Sequence, residues 1–361
     1  MIISKAPLRV SFLGGGTDYP EFFASHRGAV LGSSIDKYAY LTANRFYSRL
    51  FDYTIKISYR KTEVARSLDQ IEHTPFRECL RHCGIDSDIE LGYYADLPAF
   101  TGLGSSSTFT VALLLALHAH CGRYRSGLEV AYEAIHLERH VFGDRVGCQD
   151  QVLAAVGGLN RIEFRAEDNI LVHRLEINNR RLAWLEQHLM VFFSGICRSA
   201  SQVAARQIGK VGQNIPLLKR MASLVDRGCD LLLSERPLSG FGELLDESWR
   251  LKRSLDEGIS NGLIDQCYEA ARRAGALGGK LLGAGGGGFL LLFVPPERQA
   301  AVRRAMGGML EIGIRLAAPG GHIIHAEKEP ARERPAVGDW AIGDFDDASK
   351  TLHEIPVGHA G

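Results

Sequence analysis

From Pro98 to Ser107 the chain reads Pro-Ala-Phe-Thr-Gly-Leu-Gly-Ser-Ser-Ser and runs straight into Thr108 to His120, which is apolar nearly all round. A segment with no polar face predicts a helix buried on more than one side. Glycines let backbone amides approach an anion closely, and a helix N-terminus adds unpaired N–H groups with partial positive charge. Pro98, Gly102, Leu103, Gly104, Ser105, Ser106 and Ser107 are therefore a candidate phosphate cradle. An ordinary serine-capped helix after a glycine turn fits the same residues. Two better-known phosphate motifs do not fit. No Lys follows the last glycine, as a Walker A loop requires, and Ser107 stands where a dinucleotide fingerprint has its third glycine.

Glycine is in excess, 40 of 361 residues against an average of ~7%, and the excess is clustered. The apolar stretch Leu8 to Leu13 reads as a strand entering the tight turn Gly14-Gly15-Gly16-Thr17-Asp18, with a helix expected from Pro20. Near the other end, Lys280 to Gly288 closes on four consecutive glycines before a strand. That run is either a flexible hairpin or a place where another backbone packs closely, and the second reading is favoured.

Between these segments, Ala29 to Arg45, Ile55 to Tyr59 and the Ile89, Leu91, Tyr93, Ala95 series have strand spacing. Ser126 with Glu129 makes a capping box for a second helix that ends at Gly143. Leu189 to Phe193 is a short apolar strand. Helical patterns follow from Ser199, over Ile215 to Ser234 and over Glu243 to Leu255; then come helix Ala270 to Ala276, strand Phe289 to Val294, helix Pro296 to Ile312 and strand Gly321 to Ala326. This order predicts an α/β sandwich, with a domain change near residue 195. From Glu327 prolines and charges replace any apolar period, so the tail is expected to be loosely attached or disordered.

Three side chains sit oddly for their surroundings. Glu138 shares a helix face with Ile135, Ala131 and Phe142, where a carboxylate needs a metal ion, an Arg or backbone donors; a structural ion pair at a domain edge is the plainer alternative. Arg9 lies within an apolar strand, where a guanidinium requires a carboxylate or phosphate. Asp150, in Gly147-Cys148-Gln149-Asp150-Gln151, either caps a short helix or carries chemistry. His136 and His140 do not make a zincin site, because Leu137 separates the first His from the Glu.

With 42 Lys and Arg against 42 Asp and Glu, the formal charge is zero, without the basic excess that nucleic acid demands. Met1 to Gly16 lacks the basic end and following apolar run that mark a secretory signal, and Phe109 to Leu117 is about half the ~20 residues of a membrane span. No nucleic-acid or membrane partner is expected, and the protein is expected to be cytoplasmic. The seven cysteines are scattered without a CxxC pair, which speaks against a disulfide framework or zinc knuckle.

Taken together and in this order, the three glycine segments resemble the GHMP kinases. Pro98 to Ser107 matches the family's central Pro-x-x-x-Gly-Leu-Gly-Ser-Ser loop, Arg9 to Asp18 stands at its first motif and Leu282 to Gly288 at its third; the similarity covers roughly residues 1 to 328 and stops at the tail. The resemblance implies an N-terminal α/β domain (1–195) with a left-handed crossover, a C-terminal ferredoxin-like domain (196–328) and a tail (329–361). It implies phosphoryl transfer from ATP, with Ser106 and Glu138 on Mg2+, Asp150 as proton acceptor, and Arg9 in a neighbouring stabilising role. Gly14, Gly15, Gly16, Thr17 and Asp18 would hold a sugar.

Where galactokinase has Gly-Glu-His-Thr-Asp, this chain has two bare glycines, implying a roomier pocket. The triple glycine, Ser58 to Glu63 and Phe193 to Ser201 are similar to the branch that phosphorylates the anomeric hydroxyl of a heptose already phosphorylated at its far end. Lys61 and Arg198 are candidates on charge for that far-end phosphate. A fucose- or galactose-type kinase, or a non-catalytic sugar and nucleotide sensor, are the alternatives; a sensor has no need of a base.

Overall fold

A computed structural model describes residues 1–99, 101–167, 169–196 and 200–327. Among them run β1 (Ile2–Leu13), β2 (Gly28–Arg45), β3 (Ile55–Ser58), β4 (Thr62–Ala65), β5 (Ile89–Ala95), β6 (Leu159–Arg165), β7 (Asn169–Arg174), β8 (Leu189–Phe193), β9 (Gly278–Leu281), β10 (Phe289–Phe293), β11 (Glu311–Ile312) and β12 (His322–Ala326). They form an eight-stranded sheet, ordered β12-β1-β2-β5-β3-β4 with β6 and β7 branching from β2, and a four-stranded sheet ordered β11-β8-β10-β9. Both are mainly antiparallel. Only β3 and β5 pair in parallel among the described strands.

In the smaller sheet each strand pairs antiparallel in the order fourth, first, third, second, with helices between first and second and between third and fourth. That is the ferredoxin-like βαββαβ arrangement. It begins at Leu189, so the pairing starts this half before residue 195, and β12 returns to the larger sheet beside β1. Met1–Ala326 is one compact unit.

β1 alternates from Leu8 to Phe12, before a shift in register at Leu13 puts that side chain in the same core as Phe12. Leu8, Val10 and Phe12 enter a core shared with Met190, Val191 and Leu290 to Phe293 of the smaller sheet, while Arg9 and Ser11 share the opposite face. Phe12 meets Phe241 edge-on at 5.4 Å, fixing β1 against helix Ser239–Arg253. A fully buried aromatic of this kind costs ~3–5 kcal/mol when cut to alanine. On the other side of the large sheet, helix Ser105–His120 is buried along almost its whole length, as its lack of a polar face requires. The Ser4 hydroxyl donates to the Ala112 carbonyl at 2.6 Å and pins this helix to β1.

The capping box at Ser126 and Glu129 is present, with the helix running Gly127–His136. It then loosens into a π-helical turn, Leu137–Val141, that carries Glu138; such turns gather at functional sites. The expected helix Pro296 to Ile312 is shorter. Its α-helical part is Gln299–Ala305, because Gly307 (φ 61°) and Gly308 (φ 85°) turn the chain left-handed before β11. Among the described residues no disulfide joins the cysteines, and Cys79, Cys83, Cys148 and Cys229 are buried. Among the described residues no helix is long and apolar enough to cross a membrane.

Candidate active site

The three glycine segments meet. Gly102 (φ 83°) and Gly104 (φ 77°) take left-handed turns that only glycine adopts readily. A Cβ on Gly102 would lie 2.6 Å from the Leu282 carbonyl oxygen, and one on Gly288 2.4 Å from that of Thr101. The Phe289 N–H donates to the Thr101 carbonyl at 3.1 Å. The last glycine run is thus a surface against which the serine loop lies backbone to backbone. Gly104 is the N-cap of helix Ser105–His120, and the Ser105, Ser106 and Ser107 amides head it without a backbone acceptor. Pro98 is exposed, and its carbonyl accepts from the Thr101 hydroxyl at 3.0 Å.

Arg9 is wrapped by this loop. Its backbone N–H donates to the Leu103 carbonyl at 3.1 Å and its Nη1 to the Gly102 carbonyl at 2.7 Å. The rest of the guanidinium forks onto Asp150, with Nε to Oδ1 at 2.7 Å and Nη2 to Oδ2 at 2.5 Å. This bidentate pair is the geometry for which arginine is preorganised. Arg9 is 4% exposed and Asp150 25%, so the carboxylate keeps a solvent-facing side. Asp150 lies in the first turn of helix Gln149–Val156.

The first loop is bound to the same helix start. Gly14 (φ 81°) has no room for a Cβ, which would lie 1.9 Å from the Ala29 carbonyl oxygen. The buried Thr17 hydroxyl lies 2.9 and 2.8 Å from the carbonyls of Gly14 and Ala29, and it accepts from the Ala29 N–H at 3.0 Å. Thr17 therefore holds the loop shut. The Asp18 carboxylate accepts from the Gly16 N–H at 2.9 Å and the Gln149 N–H at 3.3 Å. Burial raises the Asp18 carboxyl above its ordinary value, the Asp150 charge adds to that, and the two N–H groups oppose it.

Glu138 is 1% exposed. Its Oε2 accepts from the Ser107 hydroxyl at 2.8 Å and from Gln151 Nε2 at 2.6 Å, while Oε1 has no hydrogen-bond partner. Burial pushes this carboxyl up to about 7, against the pull of those donors. The serine that touches Glu138 is Ser107; Ser106, one residue earlier, is exposed at the helix start. Lys61 is ion-paired with Glu72, and no contact joins it to these residues. Arg198 lies outside the described residues.

Two buried lysines escaped the sequence reading. Lys252, from helix Ser239–Arg253, donates to the Gly283 carbonyl at 2.6 Å; Lys280, in β9, donates to the Phe12 carbonyl at 3.1 Å. Burial pushes the Lys252 ammonium down to about 8 despite the Asp18 and Asp150 charges, and pushes that of Lys280 well down. Lys280 stands in an apolar and glycine run, the same signal that exposed Arg9. Lys252 carried no such signal among its basic neighbours. A cavity of about 810 Å3 lined by Arg123, Arg125 and Arg174 shares no residue with the three loops.

The arrangement offers unpaired amides for an anion, a carboxylate held by a guanidinium beside them, and a buried carboxylate with one free oxygen. Comparison with known proteins agrees. Residues 59–158 match the GHMP kinases N terminal domain and residues 231–311 the GHMP kinases C terminal family. The D-glycero-alpha-D-manno-heptose 7-phosphate kinase of Campylobacter jejuni is 30% identical over 298 residues, 79% of this chain and 86% of the relative.

The chain belongs to the GHMP kinase family. It is a sugar kinase, a phosphotransferase with an alcohol group as acceptor and ATP as donor. The bifunctional fucokinase/GDP-fucose pyrophosphorylase of Arabidopsis thaliana is 28% identical over 78% of this chain, which spans only 28% of that longer protein. In fold, the GHMP kinase is superposable on a D-glycero-D-manno-heptose 1-phosphate kinase from Bacteroides thetaiotaomicron (TM-score 0.75, 24% identity, 91% of this chain and 100% of the other). The same holds for Lactococcus lactis galactokinase (TM-score 0.69, 18% identity, 89% and 94%).

Proposed function

We propose that this GHMP kinase phosphorylates the anomeric hydroxyl of D-glycero-α-D-manno-heptose 7-phosphate, giving the 1,7-bisphosphate for nucleotide-activated heptose and surface polysaccharide synthesis in the cytoplasm. The observation that carries the chemistry is the Arg9–Asp150 fork anchored on the Gly102 carbonyl. It sets a carboxylate beside the serine-loop amides. The 30% identity to the Campylobacter heptose kinase supports the acceptor.

The amides of Gly104 to Ser107 receive the donor's phosphates, and Gly14 to Asp18 hold the sugar. Asp150 accepts the proton of the anomeric hydroxyl as its oxygen bonds to the γ-phosphorus and the bond to the β,γ-bridging oxygen breaks, releasing ADP. Arg9 holds the Asp150 carboxylate in place and, through Gly102, keeps it in register with the loop. The free Oε1 of buried Glu138, whose other oxygen is already held by Ser107, fits a divalent cation. Glu138 with Ser106 would hold Mg2+, which when bound neutralises charge on the β- and γ-phosphates. Ser107 orients the carboxylate. Residues 1–195 would supply the base and serine loop, and residues 196–328 the glycine run that backs them. Arg198 remains the candidate for the far-end phosphate.

ADP release across a sugar panel tests the proposal. Turnover with heptose 7-phosphate at least tenfold above free heptose, galactose and fucose supports it. Preference for an unphosphorylated sugar gives the fucose- or galactose-type reading instead, and sugar binding without turnover gives the sensor.

A further inference from the structure

Gly15 faces a small polar niche. A Cβ there would lie 3.3 Å from Ser11 Oγ, 3.6 Å from Gln149 Nε2 and 3.9 Å from Lys252 Nζ. Each of the three has hydrogen-bonding capacity left over. Ser11 is 5% exposed and its hydroxyl has no partner; Gln149 Oε1 is buried with none; Lys252 is 5% exposed and its ammonium, with three donors, meets the Gly283 carbonyl. Buried polar groups are normally satisfied, so three incompletely paired side chains around one point need an explanation.

We propose that Ser11, Gln149 and Lys252 form a subsite at Gly15 that receives a ring hydroxyl of the sugar acceptor and helps select it. The proposal rests on the sugar-kinase reading above. A hydroxyl oxygen in the niche accepts from Lys252 Nζ and Gln149 Nε2, the atoms that face it, and donates its own proton to the Ser11 hydroxyl oxygen. A phosphate group is disfavoured because the neighbouring Asp18 and Asp150 carboxylates, whose charges reach Lys252, oppose an anion there. Gln149 directly precedes Asp150 at the start of one helix, so the niche adjoins the proposed proton acceptor. The missing side chain at Gly15 is what leaves the space. None of the three lining residues stands out in the sequence.

Gly15→Ala is the direct test, because the φ of Gly15 lies outside the left-handed region and a methyl group there fills the niche without backbone strain. Steady-state kinetics should show the acceptor KM raised at least tenfold, the ATP KM within twofold of wild type, and an unchanged melting temperature. Gln149→Met should raise the acceptor KM in the same way. A set of monodeoxy acceptors adds a second reading: one deoxy sugar that wild type handles poorly is no longer distinguished from its parent by Gly15→Ala. If both variants keep the wild-type acceptor KM and the wild-type deoxy pattern, the niche holds a structural water and the proposal is wrong. If heptose 7-phosphate is not a substrate, the function proposed above fails separately, and the same comparison, run with whichever sugar the enzyme does phosphorylate, still decides the subsite.

Discussion

Replacing Glu138 with Gln should make the metal-free protein more stable while destroying most of its activity. Burial pushes the Glu138 carboxyl from an ordinary 4.5 to about 7, which at ~1.4 kcal/mol per pH unit is about 3.5 kcal/mol. The folded pKa of this acid is raised, so the folded state holds the proton more tightly than the unfolded chain. Stability is therefore lost as pH climbs from 4.5 through 7, and the full penalty is present above it. Gln keeps an acceptor for Ser107 and Gln151 and needs no ionisation, although its new amide donors give back ~1 kcal/mol if unpaired. Urea unfolding of metal-free protein at pH 8.5 should show Glu138→Gln more stable by about 1–3 kcal/mol, with the gap closing near pH 5. Mg2+ with ATP should stabilise wild type and not the variant, and kcat should fall by roughly 100-fold or more, as several kcal/mol of charge stabilisation are lost with the cation. A gap that stays constant from pH 5 to 8.5, or a variant less stable throughout, would show that ionising buried Glu138 carries no such penalty.

Asp150→Asn should leave ATP affinity intact, read by calorimetry, and lower kcat by about 10²- to 10⁴-fold, the usual worth of a positioned proton acceptor; unchanged turnover removes Asp150 from the mechanism. Burial sets the Lys252 ammonium at about 8, so its charge is present below that pH and lost above it. The acceptor KM should rise as pH passes 8, and Lys252→Arg should move that limb out of range. Gly102→Ala puts a Cβ 2.6 Å from the Leu282 carbonyl oxygen at a left-handed position. It should cost at least the ~1–2 kcal/mol of the backbone conformation alone and raise the ATP KM, measured by thermal unfolding and initial rates.

Much of this site was legible because its parts are chemically out of place in one dimension. Glycines in runs, a guanidinium in an apolar strand and a carboxylate on an apolar helix face all announce themselves. The capping box at Ser126 placed the helix of Glu138 correctly. What the sequence hid depends on which way a side chain turns. Ser106 and Ser107 are equivalent letters, but they are a third of a helical turn apart, and only Ser107 points inward to Glu138. Lys252 sits among Arg250 and Arg253 on an amphipathic helix, and tertiary packing alone selects it for burial. Ser11 and Gln149 look like ordinary polar residues until the fold deprives them of partners. β8 and β12 were legible as strands, but the sheet that each joins is set by pairing between distant residues, more than 300 apart for β12 and β1.

The proposed chemistry moves phosphorus from ATP to the acceptor's anomeric oxygen beside Asp150. Two-dimensional phosphorus–proton NMR of the product formed from ATP and heptose 7-phosphate tests it most directly. The expected result is a new phosphorus resonance coupled to the sugar's H1, growing as the γ-phosphate signal declines and nearly absent with Asp150→Asn. A new phosphate coupled to any other sugar proton, or free inorganic phosphate with the sugar unchanged, would contradict it.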